Sequence, residues 1–445
     1  MGHAGGKPVR VNRVSSPAGL SGEVVMPGDK SISHRALILG ALASGQTKIT
    51  GLLNSEDVMS TAQALRELGA VIERDGENWL VTGCGVSGFR QPNSPLDFGN
   101  SGTAVRLMMG VIAGHDIEAQ LIGDSSLSSR PMGRVLNPLK QMGLEITSER
   151  QDMLPLVLRG SADLVPMRYE LPMASTQVKS AIMFAGLHAA GETIIIEPKP
   201  TRDHSERMMS YFGAGIAVEP HGENGRMITV AGNAELKGCD VIVPGDPSSA
   251  AFMVAAALIV PGSDLVVKNV LINPTRTGFY DTLLEMGADI SFENERDAAG
   301  EPVSDIHVKY GPLKGVVVPP QRAPSMIDEY PCLAVLAAFA SGETRMEGLE
   351  ELRVKESDRI QVMADGLQSL GINAQATPDG MIIEGGPIGA GTVDSHGDHR
   401  IAMAFSMAAL RAGGDIEINN CANVNTSFPG FVAQAGRAGL CINTR

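Results

Sequence analysis

The chain has 445 residues, enough for more than one domain, and only 4% of them are aromatic. Its formal net charge of −14 argues against nucleic acid or an anionic membrane as the main partner. Five scattered cysteines without a CxxC pair predict reduced thiols, and the start of the chain lacks an apolar signal segment. The longest apolar stretch, residues 250–260, is too short to span a bilayer, so we expect a cytoplasmic protein.

Six segments with a common pattern follow one another along the chain, and we number them copies one to six. Each has a polar cap, a nearly all-apolar helix of small residues and, in most copies, a glycine break before a strand. The copies start at Ser31, Ser101, Ser175, Ser248, Asp328 and Asp398. A second, polar helix in each copy ends in a glycine, which lets a strand follow at once. These glycines are Gly69, Gly143, Gly213, Gly287, Gly371 and Gly439.

This pattern predicts an α/β protein of βαβ-type units in two domains of three copies each. The helix that starts at Ser248 is apolar on every side and must be buried, so helices are expected inside and sheets outside. Six copies exceed a normal single core, which places the boundary before copy four. The predicted domains are 20–240 for the first, and 1–19 with 241–445 for the second.

Basic residues recur at the helix starts, where free backbone N–H groups and the helix dipole already favour anions. These cations are Lys30, Arg35, Arg106, Lys179 and Arg400. Arg130 and Arg202 lie in short polar loops nearby in the sequence. Surface charge without a role has no reason to recur at equivalent positions. We therefore expect a cleft between the domains that holds small polyanions carrying phosphate or carboxylate groups.

Carboxylates lie beside the cations in copy five. Asp328 and Glu329 start its helix, and Glu356 follows in the charged segment 352–359. Such a run is commonly a solvated helix face, but beside an anion cleft a carboxylate near lysine can carry a proton. His399 is a weaker candidate for the same role. Copy four carries no charge in its helix, so we expect a structural or helix-dipole role for it.

Several motifs of other enzyme classes are absent from the sequence. It contains no GxxxxGK[ST] phosphate loop, no GxGxxG after a strand, no HExxH and no GxSxG. Nucleotide hydrolysis, hydride transfer and zinc-dependent hydrolysis are therefore disfavoured.

Seven phrases of the sequence resemble, in order and over nearly the whole chain, those of the enolpyruvyl transferase family. They are PGDKSISHR (27–35), FGNSGTAVRL (98–107), RPMGR (130–134), PGDPSSAAF (244–252), DEYP (328–331), LRVKESDR (352–359) and DHRIAM (398–403). The fold implied is two domains, each of three βαβαββ-type units with buried helices, an inside-out α/β barrel, with the active site in the interdomain cleft. The resemblance also places the extreme N-terminus with the second half.

The resemblance is closest to the branch of the family that acts on shikimate 3-phosphate. It implies transfer of the enolpyruvyl group of phosphoenolpyruvate to the 5-hydroxyl of that substrate, with release of phosphate, in chorismate and aromatic amino acid biosynthesis. The enol methylene is protonated while the hydroxyl attacks the adjacent carbon, and the tetrahedral intermediate then loses phosphate. A base, an acid and strong anion positioning suffice, so neither metal nor cofactor is expected.

Site residues follow from the same resemblance. The implied catalytic residues are Asp328, Glu356 and Lys30, with Asp328 accepting the hydroxyl proton and Glu356 serving the methylene. Residues implied to bind shikimate 3-phosphate are Lys30, Ser31, Arg35, Ser175, Thr176, Gln177, Arg202, Asp328 and Lys355. Residues implied to bind phosphoenolpyruvate are Lys30, Gly102, Arg130, Gln177, Arg359 and Arg400. Arginine suits several of these positions because its guanidinium binds carboxylate or phosphate through two hydrogen bonds.

The phrases RDHSE (202–206), GDKS and NPTR resemble the class II, glyphosate-tolerant branch. The chain departs from that pattern at Thr176, where alanine is typical, and at Gly102, where a tolerant member carries alanine. We therefore predict that glyphosate inhibits in competition with phosphoenolpyruvate.

Two alternatives remain open. A UDP-N-acetylglucosamine enolpyruvyl transferase shares the fold, but that family usually has a reactive cysteine in the loop that corresponds to residues 124–130, which has none here. A clamp or scaffold of βαβ repeats would need a basic surface spread along its helices, whereas the basic residues here are concentrated at the helix starts. The resemblance further implies a monomer, and the lack of a transit-like segment favours a bacterial cytoplasm.

Overall fold

The computed structural model describes residues 9–11, 19–438 and 442–444. The chain divides into two compact units. Unit one holds Gly28–Pro244 and Asp297–Glu301. Unit two holds the described residues up to Pro27, Gly245–Arg296 and those from Pro302 onward. The contact boundaries thus fall at 27/28 and 244/245, against 19/20 and 240/241 in the division predicted from the sequence.

The strands of the described residues are β1 (Val9–Val11), β2 (Ser21–Val25), β3 (Gln46–Thr50), β4 (Val71–Asp75), β5 (Asn78–Thr82), β6 (Leu96–Asp97), β7 (Glu118–Ile122), β8 (Glu145–Ile146), β9 (Leu156–Arg159), β10 (Arg168–Glu170), β11 (Glu192–Glu197), β12 (Ile216–His221), β13 (Gly225–Ala231), β14 (Asp240–Ile242), β15 (Asp264–Leu271), β16 (Asp289–Ala298), β17 (Glu301–Lys309), β18 (Val317–Val318), β19 (Glu343–Met346), β20 (Asn373–Thr377), β21 (Gly380–Glu384), β22 (Gly391–Asp394), β23 (Ile416–Asn419) and β24 (Ile442–Thr444).

The α-helices are α1 (Lys30–Leu42), α2 (Glu56–Glu67), α3 (Gly102–Ala113), α4 (Ser125–Ser128), α5 (Gly133–Met142), α6 (Thr176–Gly186), α7 (His204–Tyr211), α8 (Pro247–Ile259), α9 (Gly278–Glu285), α10 (Ala323–Met326), α11 (Tyr330–Phe339), α12 (Arg359–Ser369), α13 (His399–Ala408), α14 (Val424–Ser427) and α15 (Phe431–Arg437). Short 3₁₀ helices span Pro320–Arg322, Glu350–Val354 and Ala409–Arg411.

Each copy contributes one four-stranded sheet, and the described residues contain six such sheets. In copy two the elements follow as β6, α3, β7, the four-residue helix α4, α5, β8 and β9, and the sheet order is β6-β7-β9-β8. The pair β6–β7 is parallel, whereas β7–β9 and β8–β9 are antiparallel. The predicted βαβαββ unit is thereby confirmed. The six sheets remain separate in the described residues and do not close into one continuous barrel.

Three sheets are completed by strands from distant parts of the chain. At the end of copy three, β14 pairs in parallel with β3 of copy one. The early strand β2 pairs in parallel with β15 of copy four, and β1 lies antiparallel between β23 and β24 of copy six. These strands cover sheet edges that would otherwise expose unpaired backbone groups. The N-terminal strand therefore belongs to unit two.

One apolar helix of each copy lies in the core: α1, α3 and α6 in unit one, and α8, α11 and α13 in unit two. Every residue of α8 is buried, because its side chains are apolar on all faces. Small residues let such helices approach closely. A Cβ on Gly110 of α3 would lie 2.1 Å from the carbonyl oxygen of Ala181 in α6, so only glycine fits there. None of the described helices is long and apolar enough to cross a bilayer.

Candidate functional site

The first group of predicted site residues lies at the start of α1 in unit one. The Asp29 carboxylate accepts a hydrogen bond from the Ile32 amide at 2.8 Å and so caps the helix. Lys30 follows, with 30% of its side chain exposed and its ammonium paired with Asp57. Ser31 is also partly exposed. Both residues are thus accessible to a ligand at a helix N-terminus.

Arg35, one turn further along α1, is only 2% exposed. Its Nε donates to Ser205 Oγ and its Nη2 to Ser180 Oγ, both at 2.8 Å. Its Nη1 donates to the Ser31 carbonyl oxygen at 3.0 Å. Burial lowers the pKa of Arg35 to about 10, so the guanidinium is still charged at neutral pH. The predicted contact of Arg35 with substrate therefore requires one of these internal partners to be exchanged.

Arg202, in the loop before α7, is only partly buried. It lies close enough to Arg35 for its positive charge to contribute to the lowered pKa of that residue. Two neighbouring cations of this kind repel each other, and a bound phosphate would relieve the repulsion. The structure thus brings Lys30, Ser31, Arg35 and Arg202 to one part of unit one.

Lys179 on α6 does not belong to this set. Its side chain is fully buried, and its ammonium lies 3.0 Å from Glu197 and 2.8 Å from Glu206. The interpretation of Lys179 as an anion-attracting cation is therefore wrong. Two internal carboxylates already neutralise it, because a buried charge is stable only when it is paired.

A second group of cations surrounds Gly102 at the start of α3. Arg106 Nη1 donates to Gln177 Oε1 at 3.1 Å and to the Gly102 carbonyl oxygen at 3.3 Å. Arg130 Nη2 donates to Asn100 Oδ1 at 3.0 Å. A Cβ on Gly102 would lie 2.8 Å from Arg106 Nη1 and 3.2 Å from Arg130 Nη1. Gly102 therefore leaves the space into which both guanidinium groups extend.

The positive charges of this second group repel one another. The pKa of Arg106 is lowered to about 10, first by burial and then by the charges of Arg130 and Arg134. A dianion bound here would offset this repulsion. The sequence placed Arg106 at a helix start but assigned it no substrate, and the structure brings it into contact with two of the predicted site residues.

The start of α6 holds three further predicted residues. Ser175 caps the helix, its hydroxyl oxygen accepting from the Val178 amide at 3.4 Å. Thr176 is partly exposed beside it. Gln177 donates from Nε2 to Thr103 Oγ1 at 3.1 Å, so its amide connects α6 to α3. Gln177 thereby fixes the position of Arg106, whose Nη1 donates to its carbonyl oxygen.

In unit two the predicted residues gather around Arg359, the first residue of α12, whose side chain is 1% exposed. Its Nε donates to Asp398 Oδ2 and its Nη2 to Glu356 Oε2, both at 2.7 Å. Its Nη1 lies 3.4 Å from Asp328 Oδ1, and Arg400 Nε lies 3.7 Å from the same oxygen. Two arginines and three carboxylates thus form one cluster.

The protonation states in this cluster follow from the pairing. Burial favours a lower pKa for Arg359, but Asp398 and Glu356 outweigh burial and raise the pKa above its ordinary value. Burial favours a higher pKa for Glu356, but Arg359 dominates and holds it at about 2. Glu356 is thus a carboxylate at neutral pH. Burial and the charge of Arg400 lower the pKa of His399 to about 3, so the imidazole is neutral at neutral pH.

Lys355 lies beside the cluster in sequence but has a different partner. Its Nζ is 2.5 Å from Glu351 Oε1, one helical turn earlier. Its predicted contact with shikimate 3-phosphate therefore requires this partly exposed ion pair to open, which costs little at a protein surface.

Two residues of unit two hold helix starts in place and were not assigned that role from the sequence. Asp398 is fully buried, caps α13 by accepting from the Arg400 amide at 2.9 Å, and binds Arg359. Its position directly before a helix that starts with His-Arg was the available signal. Arg276 reaches the start of α8 from the loop before α9, where its Nη2 lies 3.3 Å from Asp246 Oδ1. No local signal links Arg276 to that helix.

Comparison with known proteins identifies the family. The sequence model of the protein family EPSP synthase (3-phosphoshikimate 1-carboxyvinyltransferase) matches residues 14–434. The chain belongs to the EPSP synthase family. The 3-phosphoshikimate 1-carboxyvinyltransferase of Afipia carboxidovorans is 54% identical over 435 residues, covering 97% of this chain and 98% of the relative. That of Paracoccus denitrificans is 55% identical over 416 residues, covering 93% and 94%.

Solved structures agree with this family assignment. The EPSP synthase of Acinetobacter baumannii matches with a TM-score of 0.90 and 46% identity, covering 99% of this chain and 100% of that one. The predicted two-domain α/β fold and the predicted transferase of the shikimate pathway are thereby confirmed. The comparisons favour this branch over the UDP-sugar transferase and over a repeat scaffold.

Proposed function

We propose that this transferase joins phosphoenolpyruvate to the 5-hydroxyl of shikimate 3-phosphate and that residues of both clusters bind these substrates. The observation that carries the proposal is the buried Arg359, which holds Glu356 and Asp328 on one guanidinium. Such an arrangement places two carboxylates where they can exchange protons with a bound anion. Family membership supplies the identity of that anion.

The cations of unit one bind the negatively charged groups. Lys30, Ser31, Arg35 and Arg202 take the phosphate and hydroxyls of shikimate 3-phosphate, together with the start of α6. Arg106, Arg130 and the start of α3 at Gly102 take phosphoenolpyruvate, to which Arg359 and Arg400 also contribute. Arginine pairs bind such groups through parallel charge-assisted hydrogen bonds. This tight positioning lowers the entropic cost of bringing two anions together.

The reaction needs proton transfers in both of its steps and no covalent intermediate with the protein. Asp328 accepts the proton of the 5-hydroxyl as its oxygen bonds to C2 of phosphoenolpyruvate, while C3 gains a proton and becomes a methyl group. In the second step the bond between C2 and the phosphate oxygen breaks, the methyl group returns its proton to Glu356, and Asp328 passes the hydroxyl proton to the leaving phosphate. Phosphate leaves and the enol double bond is restored. Each transfer is worth roughly 10²- to 10⁴-fold in rate.

Glu356 exchanges a proton with the methylene carbon. Because its pKa is lowered, it must first become protonated in the complex with substrate. At a pKa of about 2 it is ionised before substrate binds and cannot donate. A carboxylate of phosphoenolpyruvate that pairs with Arg359 would compete with Glu356 for that guanidinium. Glu356 then loses its stabilising partner and becomes a stronger base, which takes up a proton from solvent and passes it to the methylene carbon.

The test is phosphate release from phosphoenolpyruvate with shikimate 3-phosphate, and separately with UDP-N-acetylglucosamine. Asp328→Asn should lower kcat by roughly 10²- to 10⁴-fold, because it removes the base. Asp365→Asn, which neutralises an exposed carboxylate on α12, is the matched control and should leave turnover unchanged. Turnover with the UDP-sugar alone would overturn the assigned substrate. Full activity of Asp328→Asn would overturn its role.

Glyphosate carries a carboxylate and a phosphonate, so it should compete with phosphoenolpyruvate for the same cations. Inhibition that is not relieved by added phosphoenolpyruvate would contradict this. The enzyme should also act as a monomer, and light scattering during gel filtration measures its mass directly. A mass of two chains at assay concentration would contradict this expectation.

A further inference from the structure

A buried polar network lies at the start of α8 in unit two. Arg276 is 3% exposed, and its Nη2 donates to Ser248 Oγ at 3.0 Å and to Asp246 Oδ1 at 3.3 Å. The Ser248 hydroxyl also bonds to Glu329 Oε1. Ser248 and Glu329 are each 2% exposed. The network therefore runs from the loop before α9, across the first turn of α8, to the start of α11.

The direction of the hydrogen bonds in this network is determined by chemistry. A guanidinium only donates hydrogen bonds, and a carboxylate only accepts them. The single proton of Ser248 must therefore point to Glu329, while its oxygen accepts from Arg276. The serine has one orientation, which fixes the place of the Glu329 carboxylate relative to α8.

Glu329 also fixes the backbone at the start of α11. Its amide donates to the Met326 carbonyl oxygen at 2.9 Å, and its own carbonyl oxygen accepts from the Leu333 amide at 2.9 Å. The backbone amide, the backbone carbonyl and the side chain of Glu329 are thus all held by hydrogen bonds. Asp328 is the preceding residue, and its partly exposed carboxylate is directed to Arg359. Any shift of the Glu329 peptide moves Asp328 with it.

We propose that Arg276, Ser248 and Glu329 form a positioning network that holds Asp328 in the orientation needed to accept the substrate proton. This inference rests on the role of Asp328 proposed above. None of the three residues needs to touch substrate, because each acts through the backbone shared by Glu329 and Asp328. Misplacement of a reacting group by about 1 Å can cost roughly 10²-fold in rate.

An energetic role alone does not account for the network. Buried ion pairs must offset a large desolvation cost, and apolar side chains of similar volume often stabilise a protein as well or better. What apolar side chains cannot supply is a directional bond between two helix starts. The contribution of Arg276 is therefore one of orientation.

The sequence around Arg276 supports a specialised role. The phrase Pro-Thr-Arg occurs at 200–202 and again at 274–276, at the same place in copies three and four. In copy three its arginine, Arg202, is partly exposed and is predicted to bind shikimate 3-phosphate. In copy four the arginine is turned inward to Ser248. The residue that is predicted to bind ligand in unit one thus bonds to a helix start in unit two.

The test compares steady-state kinetics of Glu329→Ala, Glu329→Gln, Ser248→Ala and the double variant Ser248→Ala with Glu329→Ala. We expect kcat of Glu329→Ala to fall roughly tenfold to a hundredfold, with the KM of both substrates within about twofold. Glu329→Gln keeps an acceptor for Ser248 and should lose less. Because the residues act as one unit, the double variant should be no slower than the slower single variant.

Asp305→Asn is the matched control, since Asp305 is also a buried carboxylate of unit two but lies on β17 and pairs with Lys268. It should lower thermal stability and leave kcat unchanged. The inference fails if Glu329→Ala changes kcat no more than Asp305→Asn, or if the losses of Ser248→Ala and Glu329→Ala multiply. If Glu329→Ala does not fold, Ser248→Ala, which removes one hydroxyl, decides the question alone.

The same assays separate this inference from the proposed role of Asp328. Full activity of Asp328→Asn would contradict both the role of Asp328 as the base and the positioning network that depends on it. If Asp328→Asn loses activity but Glu329→Ala and Ser248→Ala keep a normal kcat, the role of Asp328 as the base is supported. Only the positioning network is then contradicted.

Discussion

Replacing Gly102 by alanine tests how closely the cations of unit one surround their anion. The added Cβ would lie 2.8 Å from Arg106 Nη1 and 3.2 Å from Arg130 Nη1. An ordinary contact begins at 3.4 Å, so the Arg106 guanidinium must retreat by about 0.6 Å and that of Arg130 by about 0.2 Å. Both are ends of flexible side chains, and the fold can therefore accommodate the methyl group.

The cost should be seen in anion binding. A hydrogen bond to a charged group contributes about 1.5–3 kcal/mol, and displacement of Arg106 weakens such bonds to phosphoenolpyruvate. Since about 1.4 kcal/mol corresponds to a factor of ten, the KM for phosphoenolpyruvate should rise roughly tenfold to a hundredfold. The inhibition constant of glyphosate should rise by at least as much, because the methyl group occupies space next to the same guanidinium groups.

Initial rates of phosphate release at varied phosphoenolpyruvate and glyphosate give both constants. Gly436→Ala in α15 is the matched control, because no atom lies within 4 Å of the position of its added Cβ. It should leave both constants unchanged. A KM and an inhibition constant of Gly102→Ala within about twofold of the parent enzyme would refute the crowding argument.

Three further substitutions test the charge pairing inside each unit. Asp398→Asn removes the buried partner of Arg359. The free energy of unfolding in urea should therefore fall by about 3 kcal/mol, and the KM for phosphoenolpyruvate should rise. An unchanged free energy of unfolding would contradict the pairing. Lys179→Met leaves Glu197 and Glu206 buried without their cation and should cost about 3–5 kcal/mol, whereas an anion-binding role would instead raise KM at constant stability. Asp305 has a pKa of about 2, below its ordinary 3.8, because Lys268 and hydrogen-bond donors outweigh burial. It should therefore contribute about 2 kcal/mol above pH 4, and the contribution is lost as the pH falls towards 2. The stability difference between the parent and Asp305→Asn should accordingly narrow below about pH 4, and a difference that does not depend on pH would contradict this.

Several features of the molecule could be read from the sequence because they depend on local pattern. The all-apolar helix of copy four could only be buried, and α8 is buried along its whole length. Glycines at the ends of polar helices predicted immediate strands, as β4 follows α2 after Gly69. The family phrases placed Asp328, Glu356 and Arg359 in one site, and these three residues are in contact through Arg359.

Which strands complete each sheet could not be read in this way. The pairing of β1 with β23 and β24 joins the two ends of the chain, and a strand pattern contains no information about a partner so distant. The same limit applied to Arg276, which is joined through Ser248 to Glu329 of another copy. Contacts of this kind arise only when the copies pack against one another.

The sequence by itself determined the six copies, their buried helices and the family, because hydrophobic period and motif order are properties of the chain. Only the tertiary structure decided which of the repeated cations remain available to a ligand. Lys179 and Arg106 occupy similar positions after their helix starts, yet Lys179 is neutralised by Glu197 and Glu206. Arg106 instead faces other arginines, whose charges lower its pKa after burial. The difference arises because the charge that a ligand meets depends on burial and on partners brought together by folding.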